Sequence, residues 1–143
     1  MLAKGVDLAK AVQALAQLRP VTGRMQVLGG ETGPRVVVDY AHTPDVLTHV
    51  LQALKAQTTG DLVCVFGCGG ERDVSKRAKM GYVVSKHADA AIVTSDNPRS
   101  ENPKKIIQDV TASMSGNFLV EEDRAKAISI AIMAAKVGDV VLV

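Results

Sequence analysis

Aromatic residues are scarce in this chain of 143 residues: they make up 3% of it, and tryptophan is absent. Modules that bind single-stranded nucleic acid stack bases on exposed rings, so this scarcity argues against such a function. Lysine and arginine are scattered, and the formal net charge is only +2, so no basic surface for nucleic acid is indicated. The hydrophobic content of 47% predicts one globular domain with an aliphatic core.

Cysteine is also rare, with Cys64 and Cys68 as the only two. A structural zinc site needs about four ligands, and the histidines are not spaced near these cysteines in a metal-binding pattern. We therefore expect no metal site, and two free thiols in a reducing compartment. The chain has neither a signal-peptide pattern at its start nor an apolar run of membrane-spanning length. These features predict a soluble, cytoplasmic protein with no membrane partner.

Apolar strand-like runs alternate with helical periods along most of the chain. Strands are predicted at 35–40, 61–67, 88–95, 118–122 and 139–143, and helices at 6–20, 43–57, 75–88, 103–114 and 123–136. Asp7 is the expected N-cap of the first helix, and Pro20 is its expected end. Continuously apolar strands joined by helices indicate an α/β fold, a Rossmann-like and mainly parallel sheet with helices on both faces.

Three polar loops follow three of the predicted strands. They read DYAHTPD (39–45), GCGGERD (67–73) and DNPR (96–99). Because the carboxyl ends of parallel strands lie at the same edge of a sheet, we expect these loops to meet there. The pattern therefore predicts a binding site formed by the three loops.

The DNPR loop has the residue types that a zwitterionic amino acid requires. Pro98 fixes the backbone before Arg99 and restricts Asn97, so the loop is stiff. Asp96 can meet an ammonium group, the Asn97 amide can donate and accept, and Arg99 can bind a carboxylate. The alternative interpretation is a plain loop that leads into the next helix.

The other two loops allow a functional and a plain interpretation. Asp39 and His42 suit the ribose and phosphate of a nucleotide, but they could equally satisfy backbone groups of their loop. Arg72 suits a carboxylate, whereas on composition alone it is a solvated loop residue. The chain contains no G-x-x-x-x-G-K-[ST] phosphate loop and no Ser-His-Asp set with suitable spacing. No catalytic residue is assigned.

The chain resembles the C-terminal domain of Mur ligases in the segments VTGRM, VVVDYAHTPD, VFGCGGERD and ADAAIVTSDNPRSENP, in this order and spacing. Within that family it is most similar to the ligases that add diaminopimelate. The resemblance implies that residues 1–20 end a preceding central ATPase domain and that 21–143 form the C-terminal domain. It also implies that this domain is truncated, because the family's chain continues beyond the last strand with a glycine-rich segment.

The resemblance implies an ATP- and Mg²⁺-dependent ligase of peptidoglycan precursor synthesis. ATP would phosphorylate the carboxylate of UDP-N-acetylmuramoyl-L-alanyl-D-glutamate, and the amine of meso-diaminopimelate would attack the acyl phosphate. The family's phosphate loop and metal ligands belong to the central domain, so this chain is expected to be inactive alone. Its partners would be these small molecules and the central and N-terminal domains of the parent chain.

The resemblance also implies roles for individual residues on the amino-acid side. Arg99 would bind the second carboxylate of diaminopimelate, which lysine lacks, and would thereby select the substrate. Asp96, Asn97 and Pro98 would lie beside it, with Arg72 reaching in from the neighbouring loop.

On the ATP side, the resemblance assigns Arg24, Asp39 and His42. Arg24 and His42 would contact phosphate, and Asp39 would accept from the ribose or orient Arg24. Two alternatives remain open: an α/β module that binds a nucleotide or amino acid without catalysis, and a ligase related to folylpolyglutamate synthetase. The latter is expected to share the architecture and to lack the DNPR loop.

Overall fold

The computed structural model describes residues 5–18 and 21–143. Within these residues the helices are α1 (Leu8–Ala16), α2 (Pro44–Lys55), α3 (Ser75–His87), α4 (Pro103–Thr111) and α5 (Arg124–Ala134). The strands are β1 (Gln26–Gly29), β2 (Arg35–Val38), β3 (Leu62–Phe66), β4 (Ala90–Val93), β5 (Phe118–Val120) and β6 (Val140–Leu142). They form one sheet in the order β1-β2-β6-β3-β4-β5.

The sheet is parallel except at one edge. Strands β2, β6, β3, β4 and β5 pair in parallel, whereas β1 pairs antiparallel with β2. Strand β1 has no counterpart among the strands predicted from the sequence. This strand is short and sits at the edge, with Val27 and Leu28 about half exposed, so it lacks the apolar run of a buried strand.

Helices cover both faces of the sheet, and the predicted fold class is confirmed. On one face, side chains of α2, α3 and α4 pack against inward residues of the strands such as Val37 and Phe66. On the other face, Ala127 and Ala131 of α5 pack against Val65 and its neighbours. The alternation of strand side chains between two cores explains why these strands are apolar throughout.

The helix ends follow local signals. Asp7 caps α1 by accepting from the backbone N–H of Lys10 at 3.2 Å, as predicted. Thr43 caps α2 in the same way, with Pro44 in its first turn. The predicted end of the first helix at Pro20 lies outside the described residues. None of the helices described has the length and apolarity needed to cross a lipid bilayer.

The contact between α3 and α4 depends on one glycine. A Cβ on Gly81 would overlap the carbonyl oxygen of Val110 and would lie 2.9 Å from Cγ of Met114. Glycine therefore lets the two helix backbones approach closely. This contact matters for the site because α3 and α4 each begin directly after one of its polar loops.

Candidate ligand-binding site

A cavity of about 500 Å³ opens at the carboxyl ends of the central strands. The DYAHTPD, GCGGERD and DNPR loops all contribute to its lining, so the structure brings the three predicted loops together. The other lining residues come from β3, from the facing sides of α2 and α3, from the end of β6 and from the first residue of α5. The three loops meet because β2, β3 and β4 run parallel, so the loop that follows each strand lies at the same edge of the sheet.

Most of the residues singled out in the sequence lie around this cavity. Arg24 and Pro98 are outside its lining, although each lies next to residues that form it. The predicted residues that line the cavity are Asp39, His42, Arg72, Asp96, Asn97 and Arg99.

The backbone of the DNPR loop is held in an unusual conformation. Arg99 has a φ of 52°, in the left-handed region that non-glycine residues rarely adopt. Its Nη1 donates to the carbonyl oxygen of Gly70, and the Gly70 N–H donates to the carbonyl oxygen of Asn97 at 2.8 Å. A Cβ on Gly70 would overlap the carbonyl oxygen of Pro98, so this close approach requires glycine. Strain of this kind persists where surrounding contacts enforce it, often at binding sites.

Two arginines flank one point of the glycine-rich loop. A Cβ built on Gly69 would lie 3.7 Å from Nη1 of Arg99 and 4.0 Å from Cγ of Arg72. Both side chains line the same cavity, with Asp96 and Asn97 next to them. The two guanidinium groups can bind a carboxylate of a ligand, and the carboxylate of Asp96 can bind an ammonium group of the same ligand.

A buried arginine, to which no sequence motif assigned a role, ties together the loops that precede α3 and α4. Arg77 is 1% exposed and donates to Oε1 of Glu101 at 2.9 Å and to Oδ2 of Asp109 at 3.0 Å. Glu101 also accepts from the N–H of Glu71 at 2.5 Å. The hydrogen bond from Arg77, and then that from Glu71, lowers the pKa of Glu101. One ion-pair network therefore links α3, α4 and both loops.

A sequence signal for this network exists. The buried residues of α3 are Arg77, Met80, Gly81 and Val84, which follow the spacing of one helix face. An arginine in such a stripe needs carboxylate partners. Their identity could not be deduced, because they lie 24 and 32 residues further along the chain.

The residues predicted for the nucleotide side form a second group. Oδ2 of Asp39 accepts from the N–H of Met25 at 2.8 Å, and the Arg24 guanidinium lies 4.6 Å from the centre of the Tyr40 ring. His42 Nδ1 is 3.0 Å from the carbonyl oxygen of Tyr40. Asp39 thus bonds the backbone next to Arg24, and Arg24 is oriented by the aromatic ring.

Both cysteines are free and buried, and both line the cavity. Burial raises the pKa of Cys64 to about 12 and that of Cys68 to about 11. The thiols are therefore protonated near neutral pH and are not activated nucleophiles. Among the described residues, no three His, Cys, Asp or Glu side chains come close enough together to hold a metal ion.

The architecture is that of an α/β domain with a mainly parallel sheet, and the cavity at the carboxyl edge of this sheet is lined by charged side chains suited to a small charged ligand. Residues 23–143 match the family model of the Mur ligase glutamate ligase domain. The chain therefore belongs to the Mur ligase family, as the sequence motifs indicated.

Curated relatives and solved structures agree with this assignment. The chain is 53% identical over 142 residues to a UDP-N-acetylmuramoyl-L-alanyl-D-glutamate–2,6-diaminopimelate ligase of Chromobacterium violaceum, covering 97% of this chain and 29% of the relative. The ligase of the same name from Coxiella burnetii is 51% identical over 136 residues, covering 94% and 28%. The chain thus spans less than a third of the length of these relatives.

Among solved structures, a ligase of the same name superimposes with a TM-score of 0.80 at 39% identity, covering 98% of this chain and 29% of that one. A bifunctional folylpolyglutamate synthase/dihydrofolate synthase, solved with Mn, AMPPNP and L-glutamate, has a TM-score of 0.68 at 21% identity, covering 94% and 34%. The second likeness concerns the fold alone. It agrees with the expectation that these enzymes share the architecture.

Proposed function

We propose that this chain is the amino-acid-binding part of an ATP-dependent ligase that adds meso-diaminopimelate to UDP-N-acetylmuramoyl-L-alanyl-D-glutamate in peptidoglycan precursor synthesis. The observation that carries the proposal is the placement of Arg72 and Arg99 around Gly69, in one cavity. The names of the relatives, with identities of 51–53%, support the same substrate.

Substrate choice follows from the chemistry of the two arginines. In the proposal, Arg99 and Arg72 bind the carboxylate of diaminopimelate that is remote from the reacting amine, while Asp96 and Asn97 bind its ammonium group. Pro98 stiffens the loop, and its carbonyl oxygen packs against Gly70. Lysine lacks this carboxylate, so neither guanidinium group would gain a charged partner from it, and the binding energy of those charged hydrogen bonds would be lost.

The nucleotide is proposed to bind at the DYAHTPD end of the cavity. Asp39 and His42 line the cavity there, and Arg24 lies beside them against Tyr40. These side chains suit ribose hydroxyls and phosphate oxygens. ATP with Mg²⁺ would supply the phosphoryl group that activates the acceptor carboxylate. We assign the metal ligands and the phosphate loop to the central domain of the parent protein, and the reaction to the cytoplasm.

Residues 1–20 are proposed to end that central domain, and residues 21–143 to form the C-terminal domain. The family match begins at residue 23. On helix α1 the side chains of Leu8, Val12 and Leu15 are each 56–59% exposed. An apolar helix face of this kind is normally covered by another part of the protein.

Steady-state kinetics of the full-length ligase that contains this chain test the proposal. Wild-type enzyme should release phosphate with meso-diaminopimelate and far less with L-lysine. Arg99→Gln should raise the KM for diaminopimelate by about 30-fold, equivalent to about 2 kcal/mol for a lost charged hydrogen bond. Lys104→Gln removes a positive charge at an exposed position of α4 and should behave as wild type.

Three results would contradict this function. The first is a full-length enzyme that prefers lysine, and the second is an Arg99→Gln variant with unchanged KM. The third is phosphate release by the chain of 143 residues alone, since the proposal assigns phosphoryl activation to another domain. An enzyme that binds both ligands without turnover would favour the binding-module alternative.

A further inference from the structure

Arg124 lines the same cavity from the opposite side, and neither the sequence motifs nor the resemblance assigned it a role. It is the first residue of α5, the helix that covers the other face of the sheet from α3 and α4. The loop before it is fixed to the end of β4, because the Glu122 carbonyl oxygen accepts from Oγ1 of Thr94 at 3.3 Å and from the N–H of Ser95 at 3.2 Å. The position of Arg124 is therefore set by the sheet itself.

The guanidinium of Arg124 lacks a counter-charge within the part of the chain that the structure describes. Its Nη1 is buried from water and has no hydrogen-bond partner there, and no carboxylate lies within ion-pair distance of the side chain. Arg124 is half-buried, whereas Arg77 is fully buried and still bonds two carboxylates, with only its Nε lacking a partner in the described residues. A buried N–H that has lost water without gaining an acceptor raises the free energy of the unliganded state.

The charge of Arg124 acts on the inside of the cavity. It opposes the effect of burial on the pKa of Cys64, a residue of the cavity wall. The carboxylates of Asp39 and Asp96 also line the cavity, but neither is paired with Arg124 in the described structure. An anion in the cavity would meet the accessible part of this side chain.

We propose that Arg124 is a second anion-binding residue of this cavity, placed across the strand ends from Arg72 and Arg99. It binds a carboxylate or a phosphoryl oxygen of the reactants, the two groups that a guanidinium recognises best. The inference rests on the proposed function and extends it. One group of arginines selects the remote carboxylate of the amino acid, and Arg124 holds a different anionic group.

The test is steady-state kinetics of the full-length ligase with Arg124→Gln and Arg124→Lys. Arg124→Gln should raise one KM by about tenfold or more, because hydrogen bonds to charged groups are worth more than neutral ones. Arg124→Lys keeps the charge and should recover part of the loss. The control Lys126→Gln removes a positive charge from the same helix, at a side chain that is 66% exposed, and should change no KM.

The affected substrate identifies the anion. A raised KM for diaminopimelate assigns Arg124 to a carboxylate of the amino acid. If, in the Arg99→Gln background, Arg124→Gln raises the KM for lysine by the same factor, that group is the carboxylate that both amino acids share. A raised KM for ATP, or for the UDP-linked substrate, assigns it to a phosphoryl or carboxylate group of that molecule. Both results support the inference.

The inference is overturned if every KM of Arg124→Gln stays within about twofold of wild type. A lower Tm with unchanged KM values would have the same meaning, since it shows that a group of the protein itself compensates the charge. A wild-type enzyme that prefers lysine would refute the proposed substrate but leave the Arg124 result to be judged on its own KM values. The two failures are therefore distinguishable.

Discussion

Because the backbone of Arg99 is left-handed, glycine should stabilise the folded protein more than alanine does at this position. Arg99→Ala and Arg99→Gly both remove the side chain and its hydrogen bond to Gly70, so the difference between them isolates the backbone. At a φ of 52°, alanine carries the steric cost of the left-handed region and glycine does not. We therefore expect the glycine variant to be the more stable of the two.

The magnitude follows from two opposing contributions. A non-glycine residue in this region costs about 1–2 kcal/mol, while glycine loses about 0.5–1 kcal/mol more conformational entropy on folding than alanine. The net difference is about 0.5–1 kcal/mol in favour of glycine. With a urea dependence of about 2 kcal/mol/M, the unfolding midpoint should differ by about 0.25–0.5 M.

Urea unfolding of both variants, followed by circular dichroism, measures this difference. The matched control is Lys79, an exposed residue inside α3, where the order should reverse because glycine is the poorer helix former. Equal midpoints, or a more stable Arg99→Ala, would refute the view that the loop holds Arg99 in a strained conformation. The result does not depend on which ligand the cavity binds.

Two further predictions concern the fold around the site. Gly81→Ala should lower the free energy of unfolding by about 2 kcal/mol, because the added Cβ overlaps the backbone of Val110. This cost exceeds the gain from the better helix propensity of alanine. A higher urea midpoint for the variant would contradict the close helix contact. The Asp139 carboxylate accepts hydrogen bonds from the backbone N–H groups of Lys136 and Asp61, and these bonds lower its pKa. The contribution of these hydrogen bonds to the free energy of unfolding should be complete above about pH 5 and should be lost as the pH falls through the lowered pKa. Stability curves of wild type and Asp139→Asn should therefore converge in acid, and a constant difference down to pH 2 would disprove this.

Much of the fold could be predicted because its signals are local. Apolar runs identified five of the six strands, and capping residues such as Asp7 and Thr43 identified helix starts. The convergence of the three loops followed from the same reasoning, since parallel strands place their carboxyl ends at one edge. Strand β1 was missed because an exposed edge strand needs no continuous apolar run.

The site was predicted less completely. The side chains of the DNPR loop could be identified by residue type, but the φ of Arg99 could not, because it results from the contact of this loop with Gly70. The partners of Arg77 and the position of Arg124 were also beyond sequence reasoning. Each depends on elements that are far apart along the chain and adjacent in the folded protein.

The order of the residues is enough to specify the alternation of strands and helices, the chemistry of the three loops and the family to which the chain belongs. Which charges have partners depends on the folded arrangement. It gave Arg77 two carboxylates, placed Arg72 and Arg99 around one glycine, and left the buried Nη1 of Arg124 without an acceptor among the described residues. Helix and strand periods depend on near neighbours in the chain, whereas the free energy of a buried charge depends on the groups that the fold brings next to it.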